Sequence, residues 1–157
     1  MKRVAIAIGS NLGNREDALA FAATHLSNLL TNFTLSDVIE TWPEGEGTDD
    51  QMLYLNAVAV GDTELSAREV LSSLMGIEQA FGRERSLRNA ARTLDLDLIL
   101  MGNDVVVERD LEVPHPRFRE RFFVLGPLAE IAPDLTDPVS GLTVGQLLVQ
   151  LLRDESR

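Results

Sequence analysis

Leu94-Asp95-Leu96-Asp97-Leu98-Ile99-Leu100 is the stretch on which the fold of this chain turns. Leucine at every second position is the period of an extended strand, which predicts Leu94, Leu96, Leu98 and Leu100 on one face. The same period sends Asp95 and Asp97 to the opposite face, with Cα atoms roughly 6.5–7 Å apart. The segment before it, residues 66–82, carries helix signals. Ser66 and Glu69 stand at capping-box spacing, and Leu65 and Val70 are placed for a hydrophobic staple. Val70, Leu74, Ile77 and Phe81 form its apolar stripe. Gly82 is the expected stop, and residues 83–91 read as a polar, arginine-rich loop.

Further upstream, residues 53–60 alternate as a strand with Tyr54, Asn56, Val58 and Val60 on one face. Residues 33–41 read as one earlier strand, followed by a glycine- and acid-rich loop at 42–50. At the start, Val4-Ala5-Ile6-Ala7-Ile8 is a buried strand and Gly9-Ser10-Asn11-Leu12-Gly13 a turn. Asn14 is placed to cap a helix whose Leu19, Ala22, Leu26, Leu29 and Leu30 face a core. Downstream, Val105-Val106-Val107 suits a short edge strand, and helices are expected over 121–131 and 144–152. The order βαββαβ predicts an α+β, ferredoxin-like fold: an antiparallel sheet with two helices on one face, plus C-terminal helices. With no repeat or linker, residues 1–157 read as a single domain.

The chain has no cysteine, so disulfides and thiolate metal sites are excluded. The first apolar run, residues 4–8, is too short for a signal-peptide core or a membrane span, so no membrane role and a cytoplasmic location are expected. A net charge of −11 opposes general nucleic-acid binding. Yet half of the 14 basic residues fall in two windows, Arg83, Arg85, Arg88 and Arg92, then Arg117, Arg119 and Arg121. Arginine suits forked hydrogen bonds to phosphate or carboxylate. Solvated ion pairs with neighbours such as Glu84 and Glu120 explain the windows equally well.

Two acids on one strand face repel each other, and a magnesium ion resolves that conflict with oxygen ligands while keeping room for water and phosphate. An exposed sheet edge would present the same pair without any metal. Arg92 just before the strand adds a cation for phosphate oxygens, a construction suited to phosphoryl transfer. No Walker-type glycine loop is present, and residues 9–13 are not a dinucleotide fingerprint. In Val113-Pro114-His115-Pro116-Arg117 two prolines stiffen the backbone around His115, which suits either a phosphate contact or a structural turn. His25, beside a helical core stripe with no companion, suits a boundary position.

Together these segments resemble the hydroxymethyl-dihydropterin pyrophosphokinases. The resemblance runs from Gly9 to about Asp134 and rests on Gly9 to Gly13, Tyr54-Leu55-Asn56-Ala57-Val58, Glu78 with Gly82-Arg83, Arg92-Thr93-Leu94-Asp95-Leu96-Asp97, Val113 to Arg117, and Arg121 through Pro133. It implies ATP as co-substrate, two Mg2+ ions, and attack of the pterin hydroxymethyl oxygen on the β-phosphorus, giving AMP and the pterin diphosphate in folate synthesis. Asp95 and Asp97 match the family's metal ligands. Arg92, Arg121 and Arg83 match arginines at the phosphates and active centre. Glu78 and His115 match the ATP site, and Tyr54, Asn56, Phe123 and Thr41 the pterin pocket. A functional link to other folate-pathway enzymes is also expected.

Two loops depart from the family pattern. Asn89-Ala90-Ala91 stands where well-described members carry Trp-Gly-Pro, and Thr41-Trp42-Pro43 where Thr-Pro-Pro is common. Trp42 can stack near the pterin, or simply cover local apolar surface. Phe123 and Tyr54 suit a pterin or the core. A paralogue that binds nucleotide or pterin without turnover is the first alternative. A ferredoxin-like RNA-binding or regulatory module is the second, and 5% aromatic content with a strongly acidic net charge opposes it.

Overall fold

The computed structural model describes residues 1–11, 13–42, 53–85 and 94–156, with side chains described for all of these except residues 83–85. Among the described residues, seven strands and four α-helices follow in the order β1 (Lys2–Ser10), α1 (Arg15–Leu29), β2 (Thr31–Leu35), β3 (Ile39–Thr41), β4 (Tyr54–Thr63), α2 (Ala67–Arg85), β5 (Asp95–Met101), β6 (Val106–Glu108), β7 (Leu111–Val113), α3 (Phe122–Ile131) and α4 (Val144–Glu155). The main sheet runs β2-β4-β1-β5, with β3 continuing along the edge of β4 that β2 begins. Each of its pairings is antiparallel. This is the expected ferredoxin-like βαββαβ frame.

Local signals in the sequence become visible contacts. The Asn14 side chain accepts from the Asp17 amide at 3.0 Å and starts α1. The Ser66 hydroxyl accepts from the Glu69 amide, and the Glu69 carboxylate accepts from the Ser66 amide, closing a capping box on α2. Gly61 lets β4 pass close to the end of α1, where a Cβ would lie 2.7 Å from that of Leu30.

Strand alternation divides the sheet into two faces. Val4, Ile6, Ile8, Leu55, Ala57, Ala59, Leu96 and Leu98 pack against Leu19, Leu26, Val70, Leu74 and Phe81 from α1 and α2. Ala5, Val58, Val60, Ile99 and Leu100 face the other way, against Phe118, Val124, Leu125 and Leu128 before and within α3, and Val144 and Leu147 of α4. The C-terminal helices therefore seal part of the face that α1 and α2 leave bare.

Four local expectations need correction. Gly82 does not stop α2, which continues to Arg85, so the loop expected at 83–91 begins later. The positive-φ glycines among the described residues are Gly13, Gly102 and Gly141. Gly82 thus keeps helical backbone, tolerated at about 1 kcal/mol. The strand expected at 33–41 is two strands, because the Ser36 hydroxyl takes the Val58 amide at 2.9 Å in place of a ladder carbonyl. Leu100 does not share the face of Leu98. Ala5 pairs with Leu100 while Ile6 pairs with Leu98, so a β-bulge places Ile99 and Leu100 together on the α3 side. Finally, residues 106–108 pair with Leu111–Val113 in a separate hairpin rather than edging the main sheet.

Candidate active site

Across the α3 side of the sheet, three paired rows change character in sequence. Val60, Ala5 and Leu100 form an apolar row under α3 and α4. Val58, Ala7 and Asp97 form the next row, and Asn56, Gly9 and Asp95 the last. The sheet thus runs from core to polar floor within four residues of β1 and β4 and five of the bulged β5. Gly9 keeps the middle of that floor low: a Cβ there would sit 3.4 Å from Asn56 Oδ1 and 3.7 Å from the Tyr54 ring.

Above this floor lies a cleft of about 480 Å³. Thr41, Trp42, Tyr54 and Asn56 line one flank, Asp95, Asp97 and Glu78 the other, and Arg121 and Phe123 enter from the start of α3. The Asn56 amide nitrogen donates to Thr41 Oγ1 at 2.7 Å, which fixes the amide's orientation. Trp42 is 75% exposed, so its indole contributes no core packing and is available to a flat ligand. Glu78 reaches around the sheet edge from α2, and its carboxylate accepts from the Leu96 amide at 2.7 Å. The Arg121 guanidinium lies 5.5 Å from the Phe123 ring centroid.

His115 stands beside this cleft rather than in its lining. Its amide donates to the Ile99 carbonyl at 2.9 Å, tying the segment to β5. Its Nδ1 accepts from the Arg117 amide at 3.1 Å, so the neutral ring carries its proton on Nε2. Burial pushes the imidazole below its ordinary range. Asp97 and Glu112 oppose that shift, and Arg121 and Arg117 reinforce it.

The second arginine window separates into three roles. Arg117 pairs with Glu120 at 3.1 Å on the surface. Arg119 binds the buried Asp137. Arg121 lines the cleft. Arg92, Arg88 and the segments 43–52 and 89–91 lie outside the described residues, as do the side chains of Arg83 and Arg85. Sequence reasoning missed Ala7, Ile8, Ile99 and Val124 as lining residues. Strand parity from Gly9 could have found Ala7. Strand parity from Asp97 could likewise have found Ile99, since the bulge moves Leu100 rather than Ile99 to this face.

The donor set at Asp95 and Asp97 suits magnesium. Both carboxylates are exposed on one strand face at the cleft, and no cluster of three or more His, Cys, Asp or Glu that could hold a metal occurs among the described residues. Two oxygen ligands leave the remaining coordination positions for water and phosphate, as magnesium prefers.

Comparison with known proteins agrees with this geometry. Residues 5–133 match the family model for 7,8-dihydro-6-hydroxymethylpterin-pyrophosphokinase, HPPK. A 2-amino-4-hydroxy-6-hydroxymethyldihydropteridine pyrophosphokinase of Bacillus subtilis is 37% identical over 153 residues, covering 96% of this chain and 90% of that protein. The enzyme of the same name from Haemophilus influenzae is 39% identical over 150 residues, covering 94% and 89%. Among solved structures, Plasmodium falciparum HPPK-DHPS superposes with a TM-score of 0.74 at 13% identity, over 97% of this chain. This chain spans only 45% of that longer one, and the likeness there is one of fold. With a family model matched over residues 5–133 and relatives aligned over nearly its full length, the chain belongs to the 7,8-dihydro-6-hydroxymethylpterin-pyrophosphokinase family.

Proposed function

We propose that this protein transfers the diphosphate of ATP to 6-hydroxymethyl-7,8-dihydropterin in folate biosynthesis, giving AMP and the pterin diphosphate. One observation carries the reading: an acid pair suited to magnesium and an amide-and-aromatic flank suited to a pterin share a single cleft. Asn56 and Thr41 offer donor and acceptor groups to the amide-like edge of the pterin. Tyr54, Phe123 and Trp42 provide aromatic surface for its flat ring.

Asp95 and Asp97 would hold magnesium, two ions in all with ATP, and the metal would supply charge neutralisation for the polyphosphate there. Arg121 supports the phosphates from α3, and the family resemblance assigns Arg83 and Arg92 to the same task. Glu78 and His115 contact ATP, His115 through the Nε2–H that remains while Nδ1 accepts from the Arg117 amide. The pterin hydroxymethyl oxygen attacks the β-phosphorus. That O–P bond forms as the bond from the β-phosphorus to the α,β-bridging oxygen breaks, and AMP leaves. Asp97 accepts the hydroxyl proton, directly or through water. Transfer is direct, without a covalent enzyme intermediate.

Residues 1–157 act as one pyrophosphokinase domain in the cytoplasm. No described helix is long and apolar enough to cross a membrane. The joined name of the HPPK-DHPS chains supports a functional link to other folate-pathway enzymes. The test is AMP formation from ATP, magnesium and the hydroxymethyl-dihydropterin, with one pterin diphosphate per AMP. Binding of both substrates with no AMP would leave a binding protein instead.

A further inference from the structure

Asp137 is completely buried, yet it lies in none of the segments that carry the family resemblance. Its two oxygens are fully engaged. Oδ2 accepts from Arg119 Nε at 2.5 Å and from the Ser140 hydroxyl at 2.7 Å. Oδ1 accepts from Arg119 Nη2 at 2.9 Å and from the Val139 amide at 3.0 Å. Its backbone is held as well, by the Leu142 carbonyl and the Gly141 amide, within a turn closed by the Thr136–Thr143 bridge. Burial pushes the carboxyl up. The forked Arg119 contact, the Ser140 hydroxyl and the Val139 amide outweigh burial and hold it at about 2. The carboxylate therefore stays ionised throughout the range in which an enzyme is assayed.

Its partner sits at a mechanical joint. Arg119 is the middle residue of a single 3₁₀ turn, Phe118–Glu120. Arg121 closes that turn with its amide on the Phe118 carbonyl, and its own carbonyl accepts the first amides of α3, from Val124 and Leu125 at 3.0 Å. One residue thus belongs to both elements, and its side chain lines the cleft. Phe118 anchors the turn in the core, with the Arg119 guanidinium 4.7 Å from its ring centroid. An anchor at Phe118 alone leaves the turn free to roll. The fork at Arg119 supplies the second point, because two parallel hydrogen bonds fix direction as well as distance.

We propose that Asp137 is a positioning residue for the transfer reaction: by clamping Arg119 it sets the roll of the 3₁₀ turn and so aims Arg121 into the cleft. The proposal rests on the pyrophosphokinase reading and adds to it a residue remote from the substrates. Misplacement of a phosphate-binding group by a fraction of an ångström slows transfer steeply, so the effect falls on kcat and the ATP KM rather than on pterin affinity.

The test is a cycle of variants assayed for AMP formation and for pterin binding by calorimetry. Asp137→Asn lowers kcat/KM for ATP about tenfold, with pterin affinity within about twofold of the parent. In an Arg121→Ala background the same change costs less than about twofold, because the group it aims is gone. A merely structural role would give the same loss in both backgrounds and would overturn the proposal. Asp137→Asn risks poor folding, since it leaves a half-buried guanidinium without its charge partner. The double variant Arg119→Leu/Asp137→Leu keeps that volume apolar. If it folds and still turns over ATP like the parent, aiming by the clamp is refuted. If the parent itself makes no AMP, the underlying reading fails rather than the clamp alone.

Discussion

On the α1–α2 side of the sheet Val4, Ile6 and Ile8 of β1, Leu55, Ala57 and Ala59 of β4, and Leu96 and Leu98 of β5 form an apolar surface against which α1 and α2 pack. On the α3–α4 side the same three strands begin as core at Val60, Ala5 and Leu100. They end as an open polar floor at Asn56, Gly9 and Asp95. Both faces come from one alternation, so strand period does not separate a structural face from a functional one. The separation comes from which residue types occupy the rows, and from a C-terminal helix pair that covers one end. A face filled with apolar residues spends its burial on stability. A face that stops halfway leaves acids, an amide and an aromatic flank where a ligand can complete the layer.

Substitutions on the two faces should therefore read out in different assays. The largest effect belongs to Asp97→Asn on the open face. Turnover should fall about 10³-fold, while pterin affinity stays within about threefold and the melting temperature stays put. Equal losses of turnover and affinity would remove Asp97 from the role of proton acceptor. Leu74→Ala on the closed face should cost about 3 kcal/mol in urea unfolding, with kcat per folded molecule unchanged. A turnover defect there would mean that the faces are coupled. Gly9→Ala tests the floor between them. The added methyl fits beside Asn56 without a severe clash, so stability holds while the pterin KM rises about tenfold and the ATP KM does not.

The smallest effect concerns pH. His115 is depressed in the folded protein, chiefly by burial, so below about 6.5 the unfolded chain takes up its proton first. Stability should fall as pH drops through that window and level off below the folded midpoint. His115→Asn should flatten the slope, and an NMR titration should place the His115 midpoint under the ordinary histidine value. A midpoint above it would show that Asp97 outweighs burial.

Much of the candidate site was legible because its residues obey strand parity. Tyr54 and Asn56 share a face on β4, Asp95 and Asp97 share one on β5, and antiparallel pairing through Gly9 brings Asn56 and Asp95 into one row. The arginines were less legible. Arg117, Arg119 and Arg121 are alike in type and spacing, yet one pairs on the surface, one clamps a buried acid and one lines the cleft. Their division depends on Asp137, which approaches only when residues 136–143 fold back as a turn.

Taken alone, the amino-acid order was enough for the βαββαβ frame, the caps of α1 and α2, the shared faces of Tyr54 with Asn56 and of Asp95 with Asp97, and the family resemblance. These rest on periods and short-range hydrogen bonds that need only neighbouring residues. The bulge at Ile99 and Leu100, the break at Ser36, the passage of α2 through Gly82 and the assignment of each arginine came only from the folded chain. Each depends on a partner distant in sequence or on the packing around a helix. Which partner arrives is set by register and burial across the whole sheet, and no local window contains that information.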